Sequence, residues 1–135
     1  MASPVSERSV LAHPPRLRRI LRSFGYAFEG LGTLLRTQPN FVVHVLAACV
    51  AVCLGMILRL DLRDMALVVL TIALVLVVEC VNTALETLCD LVSPGLHPLI
   101  KRAKDISAAA VLLAAMAAVA IAALVFLPRV VSVIK

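Results

Sequence analysis

Three long apolar stretches follow one another after residue 40, at residues 41–58, 65–78 and 106–127. None of them contains a charged residue, and His44 is the main polar interruption of the first. A transmembrane helix needs about 20 apolar residues, which the first and third stretches supply directly. The second stretch suffices only if its helix continues to about residue 92. The pattern therefore predicts an all-α integral membrane protein with three transmembrane helices, at about 40–58, 65–92 and 106–127.

The segment before these stretches has an amphipathic pattern. Apolar side chains recur at helical spacing on one face of residues 15–37, and most charged side chains fall elsewhere. The apolar members are Leu17, Ile20, Leu21, Phe24, Phe28, Leu31 and Leu35. A helix with a basic polar side suits the headgroup plane of a membrane, although a helix packed on a soluble core has the same pattern. We expect an N-terminal amphipathic surface helix at 15–37, a disordered tail at 1–14, and one membrane-embedded domain at 15–135.

The composition agrees with a membrane protein. Apolar residues make up 62% of the 135 residues, charged residues make up 16%, and the mean hydropathy is +1.06. Soluble domains are roughly 45–50% apolar and about 25% charged. At this length we expect no separate soluble catalytic domain beside the three spans. The net charge of +5 indicates first the membrane topology and second anionic ligands or lipid headgroups. No nucleic-acid partner is expected.

The charged residues between the spans predict the orientation. Residues 1–40 contain six arginines, and residues 93–105 contain Lys101, Arg102 and Lys104. Cytoplasmic loops of membrane proteins carry an excess of lysine and arginine. The amino terminus and the loop at 93–105 are therefore expected in the cytoplasm. Three spans then place the carboxyl terminus outside.

Polar residues in the second span form the strongest candidate site. Glu79, Asn82 and Glu86 are spaced i, i+3 and i+7, which puts them on one helix face, and Asp90 extends the stripe. An aspartate at mid-membrane costs roughly 2.5–3.5 kcal/mol on insertion scales, so such groups need partners. Acidic residues for divalent cations beside basic residues for phosphates are the parts that phosphoryl transfer requires. A structural polar network, or an ion or proton path in a small carrier, would also explain the stripe.

The sequence around this stripe resembles the small prokaryotic diacylglycerol kinase family, which includes the undecaprenol kinases. The resemblance rests on Glu-Cys-Val-Asn-Thr-Ala-Leu-Glu at 79–86, on Asp90, on His-Pro-Leu-Ile-Lys-Arg-Ala-Lys-Asp at 97–105, and on Ala-Ala-Ala-Val-Leu at 108–112. Upstream, Ser-Phe-Gly-Tyr-Ala-Phe-Glu-Gly-Leu at 23–31 and Asn40, Phe41 and His44 match the surface helix and the entry to the first span. The resemblance covers roughly residues 16–127.

The resemblance implies a homotrimer in the bacterial inner membrane that uses ATP and magnesium to phosphorylate a lipid hydroxyl at the cytoplasmic interface. The acceptor stays open between diacylglycerol and undecaprenol. Glu79 matches the family's general base, and Glu86 matches a metal-coordinating carboxylate. The implied nucleotide contacts are Lys104, Asp105, Arg19, Tyr26 and His97. Asn82 and Asp90 are expected to line the site.

Gln38 is a departure from the family pattern. Many members have a glutamate, shared in metal coordination, three residues before the position of Phe41. An amide oxygen can bind magnesium but lacks the charge that makes a carboxylate a good partner for a hard cation. Gln38 is therefore a candidate metal ligand, or a capping residue of the first span. Weaker metal binding, a rearranged site or an inactive protein would follow from the missing charge.

Overall fold

The computed structural model describes residues 16–95 and 97–134, and within this range the chain is entirely helical apart from short connections. It forms four helices, α1 (Arg16–Thr37), α2 (Pro39–Ile57), α3 (Leu62–Val92) and α4 (Pro98–Ile134), and the described residues contain no strand. The predicted all-α fold is confirmed. The predicted disordered tail at 1–14 lies outside the described residues.

The described chain divides into two units, with the boundary after Thr33. The first unit contains most of α1, which has no buried residue along its length. Its apolar stripe is exposed, with Phe24 and Phe28 exposed by 59% and 72%. The stripe is of the kind that lets a helix lie in the headgroup plane of a membrane.

The second unit contains three helices that are long and apolar enough to cross a membrane, α2, α3 and α4. Few of their residues are buried, and large apolar side chains such as Val50, Leu70 and Leu124 are mostly exposed. Such exposure would be unfavourable in water, but it is expected where hydrocarbon is the solvent. With 31 and 37 residues, α3 and α4 are about 46 and 55 Å long at 1.5 Å per residue, longer than the roughly 30 Å hydrocarbon core.

α3 begins at Leu62, earlier than the apolar stretch, because a cap precedes it. Asp61 Oδ1 accepts hydrogen bonds from the backbone N–H groups of Arg63 and Asp64 at 3.0 and 2.9 Å. These donors have no partner inside the helix, and a capping aspartate satisfies them. Arg59, in the turn from α2, has a φ of 52°, in the left-handed region.

The connection from α3 to α4 is shorter than the predicted loop at 93–105. α4 begins at Pro98, so that Lys101, Arg102, Lys104 and Asp105 lie on a helix rather than in a loop. Proline suits the first helical turn, because its missing N–H would have no helical partner there. His97 Nδ1 accepts a hydrogen bond from the Leu99 N–H at 3.2 Å and thereby caps the helix. α4 also continues through Pro128, beyond the predicted end at 127.

α3 packs against both α2 and α4. Its buried residues recur at intervals of three, four or seven positions, which places them on one stripe; they are Val68, Thr71, Val75, Glu79, Asn82 and Cys89. At one end of the bundle, Arg129 Nη2 donates a hydrogen bond of 2.6 Å to the carbonyl of Arg59 in the α2–α3 turn. At the other end, the last turns of α3 meet the first turns of α4.

Candidate active site

The carboxyl-terminal half of α3 carries a buried polar face. Glu79 and Asn82 are only 2% and 8% exposed, whereas the apolar Val81 and Leu85 between and beyond them are exposed. Glu86 is half-buried. The helix thus presents its apolar side outward and keeps its polar residues against the rest of the bundle, as the cost of polar groups in hydrocarbon requires.

Asn82 is hydrogen-bonded to another residue of this face, but one of its own side-chain atoms has no partner. Its Nδ2 donates a hydrogen bond to Glu86 Oε1 at 3.1 Å. Among the described residues, Asn82 Oδ1 and Thr83 Oγ1 are buried and have no hydrogen-bond partner. Leaving a buried polar group unpaired costs roughly 1–3 kcal/mol, so both atoms are suited to meet a ligand. Thr83 is not among the predicted site residues, and only its place next to Asn82 could have suggested it.

An ion pair joins α3 to α4 beyond this face. Lys104 Nζ lies 2.8 Å from Asp90 Oδ1, across the connection between the two helices. The Lys104 side chain keeps 34% of its surface exposed, and Ser107 Oγ donates to the Lys104 carbonyl at 2.9 Å. The ion pair places the Lys104 ammonium beside the end of α3, where it remains accessible to an anion.

The structure gives the predicted nucleotide pair Lys104 and Asp105 different partners. Asp105 Oδ2 lies 2.6 Å from Lys101 Nζ, one turn earlier on α4, and both side chains are largely exposed. An exposed pair of this kind holds its partners loosely. Each of the two lysines thus pairs with a carboxylate.

The remaining candidates lie in different parts of the fold. His97 is exposed and its imidazole caps α4. Gln38 precedes α2, but its side chain makes no capping hydrogen bond, so capping does not explain it. Arg19 and Tyr26 are exposed on α1, and their spacing of seven residues places them on one face of that helix.

The donor set on α3 fits a magnesium ion that is held partly by its substrate. The described residues contain no group of three or more histidine, cysteine, aspartate or glutamate side chains that could hold a metal. Magnesium commonly uses only one or two carboxylates, together with waters and substrate phosphates. The Glu86 carboxylate and the unpaired Asn82 Oδ1 are oxygen ligands of the required kind.

A buried carboxylate face beside a lysine at the end of a membrane-spanning bundle defines a candidate membrane-embedded phosphotransferase. A sequence model of the prokaryotic diacylglycerol kinase family matches residues 25–126, most of the chain. The chain belongs to this family, which is a family of lipid kinases.

Individual relatives agree with this membership. The chain is 36% identical to the undecaprenol kinase of Bacillus subtilis over 117 residues, which are 87% of this chain and 95% of that protein. It is 40% identical to a diacylglycerol kinase of Synechocystis over 114 residues, 84% of this chain and 65% of that protein. It is 34% identical to the diacylglycerol kinase of Escherichia coli over 101 residues, 75% of this chain and 83% of that protein.

The ion pair between Lys104 and Asp90 leads to a first prediction. Asp90→Asn keeps a hydrogen-bond acceptor for Lys104 but removes the negative charge that would compete with a phosphate for the Lys104 ammonium. We expect a KM for ATP that is a few-fold lower than that of the native protein. Steady-state kinetics with varied ATP measure this change.

Asp64→Asn is the matched control, because it removes the same charge near the start of α3, away from the ion pair. It should leave the KM for ATP unchanged. A raised KM in Asp90→Asn would contradict the prediction, because Asp90 would then support nucleotide binding rather than oppose it.

Proposed function

We propose that this protein transfers the γ-phosphate of ATP to the hydroxyl of a membrane lipid alcohol, diacylglycerol or undecaprenol, at the cytoplasmic interface. The observation that carries the proposal is the nearly complete burial of Glu79 on the polar face of α3, in a chain of the prokaryotic diacylglycerol kinase family. A lipid alcohol arrives sideways from the bilayer and ATP arrives from the water, so a site near the membrane surface can receive both.

In the proposed reaction Glu79 is the general base. The lipid hydroxyl oxygen attacks the γ-phosphorus. The bond between the γ-phosphorus and the bridging oxygen of the β-phosphate breaks, and ADP leaves. The hydroxyl proton passes to the Glu79 carboxylate, which has to lie within about 2.6–3.2 Å of the hydroxyl oxygen. Little further covalent chemistry is needed, because positioning and charge compensation supply most of the catalysis of phosphoryl transfer.

We assign the phosphates of ATP to Lys104. Its ammonium is partly exposed and is held at the α3–α4 end by Asp90. A phosphate that approaches Lys104 replaces or joins this carboxylate as a hydrogen-bond acceptor. The further proposed nucleotide contacts are Asp105, Arg19, Tyr26 and His97. The sequence has no Walker A loop, so side chains rather than a glycine-rich loop would bind the phosphates.

We assign magnesium to Glu86, with Asn82 Oδ1 as a neutral second oxygen. The ion would neutralise negative charge on the phosphates when bound. The hydrogen bond from Asn82 Nδ2 orients the Glu86 carboxylate, and the unpaired Oδ1 of the same amide supports a ligand close by. Gln38 is the proposed further oxygen ligand.

We further propose a homotrimer in the inner membrane, with the amino terminus in the cytoplasm and the carboxyl terminus outside. The excess of arginine before α2 and the cationic residues at 101–104 support this orientation. The large apolar side chains that α2, α3 and α4 leave exposed provide surface for neighbouring copies as well as for lipid.

A lipid panel tests the function. Purified protein in lipid vesicles receives magnesium and ATP labelled at the γ-phosphate, with diacylglycerol, undecaprenol or a lipid without a hydroxyl group. We expect label on at least one lipid alcohol and none on the third lipid. Glu79→Gln should lower the rate at least about 100-fold, because a general base contributes about that much or more.

Glu79→Asp is the companion variant, because it keeps the carboxylate but withdraws it by one methylene group. It should retain part of the activity, and Glu79→Gln should still be stabilised against heat by ATP. Full activity of Glu79→Gln would contradict the role of Glu79 as general base. Ion flux through the vesicles without any labelled lipid would indicate a carrier instead of a kinase.

Gln38 gives a separate prediction about the metal. If Gln38 lies at the magnesium site, Gln38→Glu adds a charged oxygen ligand, and the magnesium concentration for half-maximal rate should fall. Without metal the two carboxylates repel each other, so the same variant should be neutral or harmful at low magnesium and high pH. A magnesium titration of the native protein and the variant measures both effects.

Overlapping titration curves would contradict a role for Gln38 at the metal. Glu29 and Asp90 would then be the next candidates for a further ligand. Thr37→Ser is a suitable control, since it makes a small change next to Gln38 without adding charge, and its curve should match that of the native protein.

A further inference from the structure

α3 contains three threonines, and the hydroxyl of Thr83 is used differently from the other two. Thr71 Oγ1 donates a hydrogen bond to the Leu67 carbonyl at 2.7 Å. Thr87 Oγ1 donates to the Thr83 carbonyl at 2.8 Å. A helical threonine can reach the carbonyl four residues earlier by rotation of its side chain, and for Thr83 this is the carbonyl of Glu79. Among the described residues, however, Thr83 Oγ1 is buried and has no hydrogen-bond partner.

Thr83 lies between the proposed base and the lysine end of the site. With 3.6 residues per turn, it is rotated by about 40° from Glu79 and by about 20° from Asp90 around the α3 axis, so the three residues share one face. Along the axis, Thr83 is about 6 Å beyond Glu79 and about 10 Å before Asp90, at 1.5 Å per residue. Asp90 Oδ1 is 2.8 Å from Lys104 Nζ. A group that passes from a nucleotide at Lys104 to an acceptor at Glu79 therefore passes Thr83.

The other polar side chains of this face offer acceptors rather than donors. Glu79, Glu86 and Asp90 carry carboxyl groups, which only accept hydrogen bonds when they are ionised. Asn82 Nδ2 is a donor, but it already bonds to Glu86 Oε1 at 3.1 Å. A phosphate oxygen is a negatively charged acceptor, so it requires a donor such as a hydroxyl group. Thr83 supplies a neutral donor at this point of the face.

We propose that the Thr83 hydroxyl donates a hydrogen bond to a non-bridging oxygen of the γ-phosphate of ATP. The inference rests on the proposed kinase function and adds a substrate contact to it. Thr83 keeps its proton while the γ-phosphorus exchanges its bond to the bridging oxygen for a bond to the lipid oxygen. The non-bridging oxygens carry negative charge throughout this exchange, so the hydrogen bond holds the phosphoryl group in position during transfer.

Thr83→Val removes the hydroxyl but keeps the branched shape of the side chain. We expect kcat/KM for ATP to fall roughly ten- to a hundred-fold, the usual effect of losing one hydrogen bond to a charged group. Thr83→Ser keeps a hydroxyl and should retain most of the native value. Label transfer from ATP to the lipid alcohol that the native protein phosphorylates measures both variants in lipid vesicles.

Heat denaturation distinguishes this contact from a structural role. Valine replaces a buried hydroxyl that has no partner, so Thr83→Val without nucleotide should be at least as stable as the native protein. An ATP analogue that cannot transfer its phosphate should stabilise Thr83→Val less than the native protein. ADP, which lacks the γ-phosphate, should stabilise both proteins equally.

Thr87→Val is the matched control on the same helix. Thr87 is exposed, and its hydroxyl is used within α3. This variant should keep the native kcat/KM for ATP and the native response to the analogue.

Four results would overturn the proposal. The first is a native kcat/KM in Thr83→Val, and the second is an equal loss in Thr83→Ser. The third is a Thr83→Val protein that is less heat-stable than the native protein without nucleotide, because the hydroxyl would then be part of the packing. The fourth is a raised magnesium requirement in Thr83→Val, because the hydroxyl oxygen would then be a metal ligand rather than a donor to phosphate.

These outcomes are distinct from a failure of the proposed function. A native protein that phosphorylates no lipid alcohol would refute the kinase reaction itself. A native protein that is active, together with an equally active Thr83→Val variant, would refute only the assignment of Thr83.

Discussion

The poor solvation of polar groups by hydrocarbon governs this structure. α3 places two glutamates and an asparagine in a helix that is otherwise suited to lipid, and each would be unfavourable on a lipid-facing surface. The bundle buries Glu79 and Asn82 and leaves the apolar side of the same helix exposed. Burial alone does not satisfy them, because Asn82 Oδ1 and Thr83 Oγ1 have no partner among the described residues. The polar face therefore has hydrogen-bonding groups to offer, and it is suited to a polar ligand.

The packing of α4 on α3 determines what such a ligand meets. The capped start at Pro98 brings the basic turns of α4 beside the end of α3, where Lys104 pairs with Asp90. At the opposite end, Arg129 holds the carbonyl of Arg59 and ties α4 to the α2–α3 turn. Between these two ends, alanines on α2 and α4 leave a groove along the α3 stripe. One helix face thus runs from an apolar channel, past a buried carboxylate, to a cationic end.

Much of the fold follows from the hydrophobic pattern, because each helix has to satisfy its own backbone in the membrane. The three spans could be predicted from the apolar stretches, and the shared face of Glu79, Asn82 and Glu86 from their spacing. The start of α4 was different, since Pro98 was interpreted as part of a loop. The same residue suits a helix start once His97 accepts the hydrogen bond that caps it. Local sequence does not distinguish these two uses of proline.

Contacts between helices could not be predicted from one sequence. The pairing of Lys104 with Asp90 rather than with the adjacent Asp105 depends on how α3 and α4 pack. The groove along the α3 stripe depends on two alanine sets, more than 60 residues apart, that face the same space. In the sequence, these alanines differ in no way from others that are exposed. The roles of Arg19 and Tyr26 on α1 stay predictions.

Infrared difference spectroscopy on the reconstituted protein tests most directly whether the polar face of α3 receives a metal-bound nucleotide. Adding magnesium with an ATP analogue that cannot transfer its phosphate should shift a carboxylate stretching band in the native protein. The shift should be absent in Glu86→Gln and present in the control Asp64→Asn. Unchanged carboxylate bands in the native protein, or the same shift in Glu86→Gln, would contradict the account.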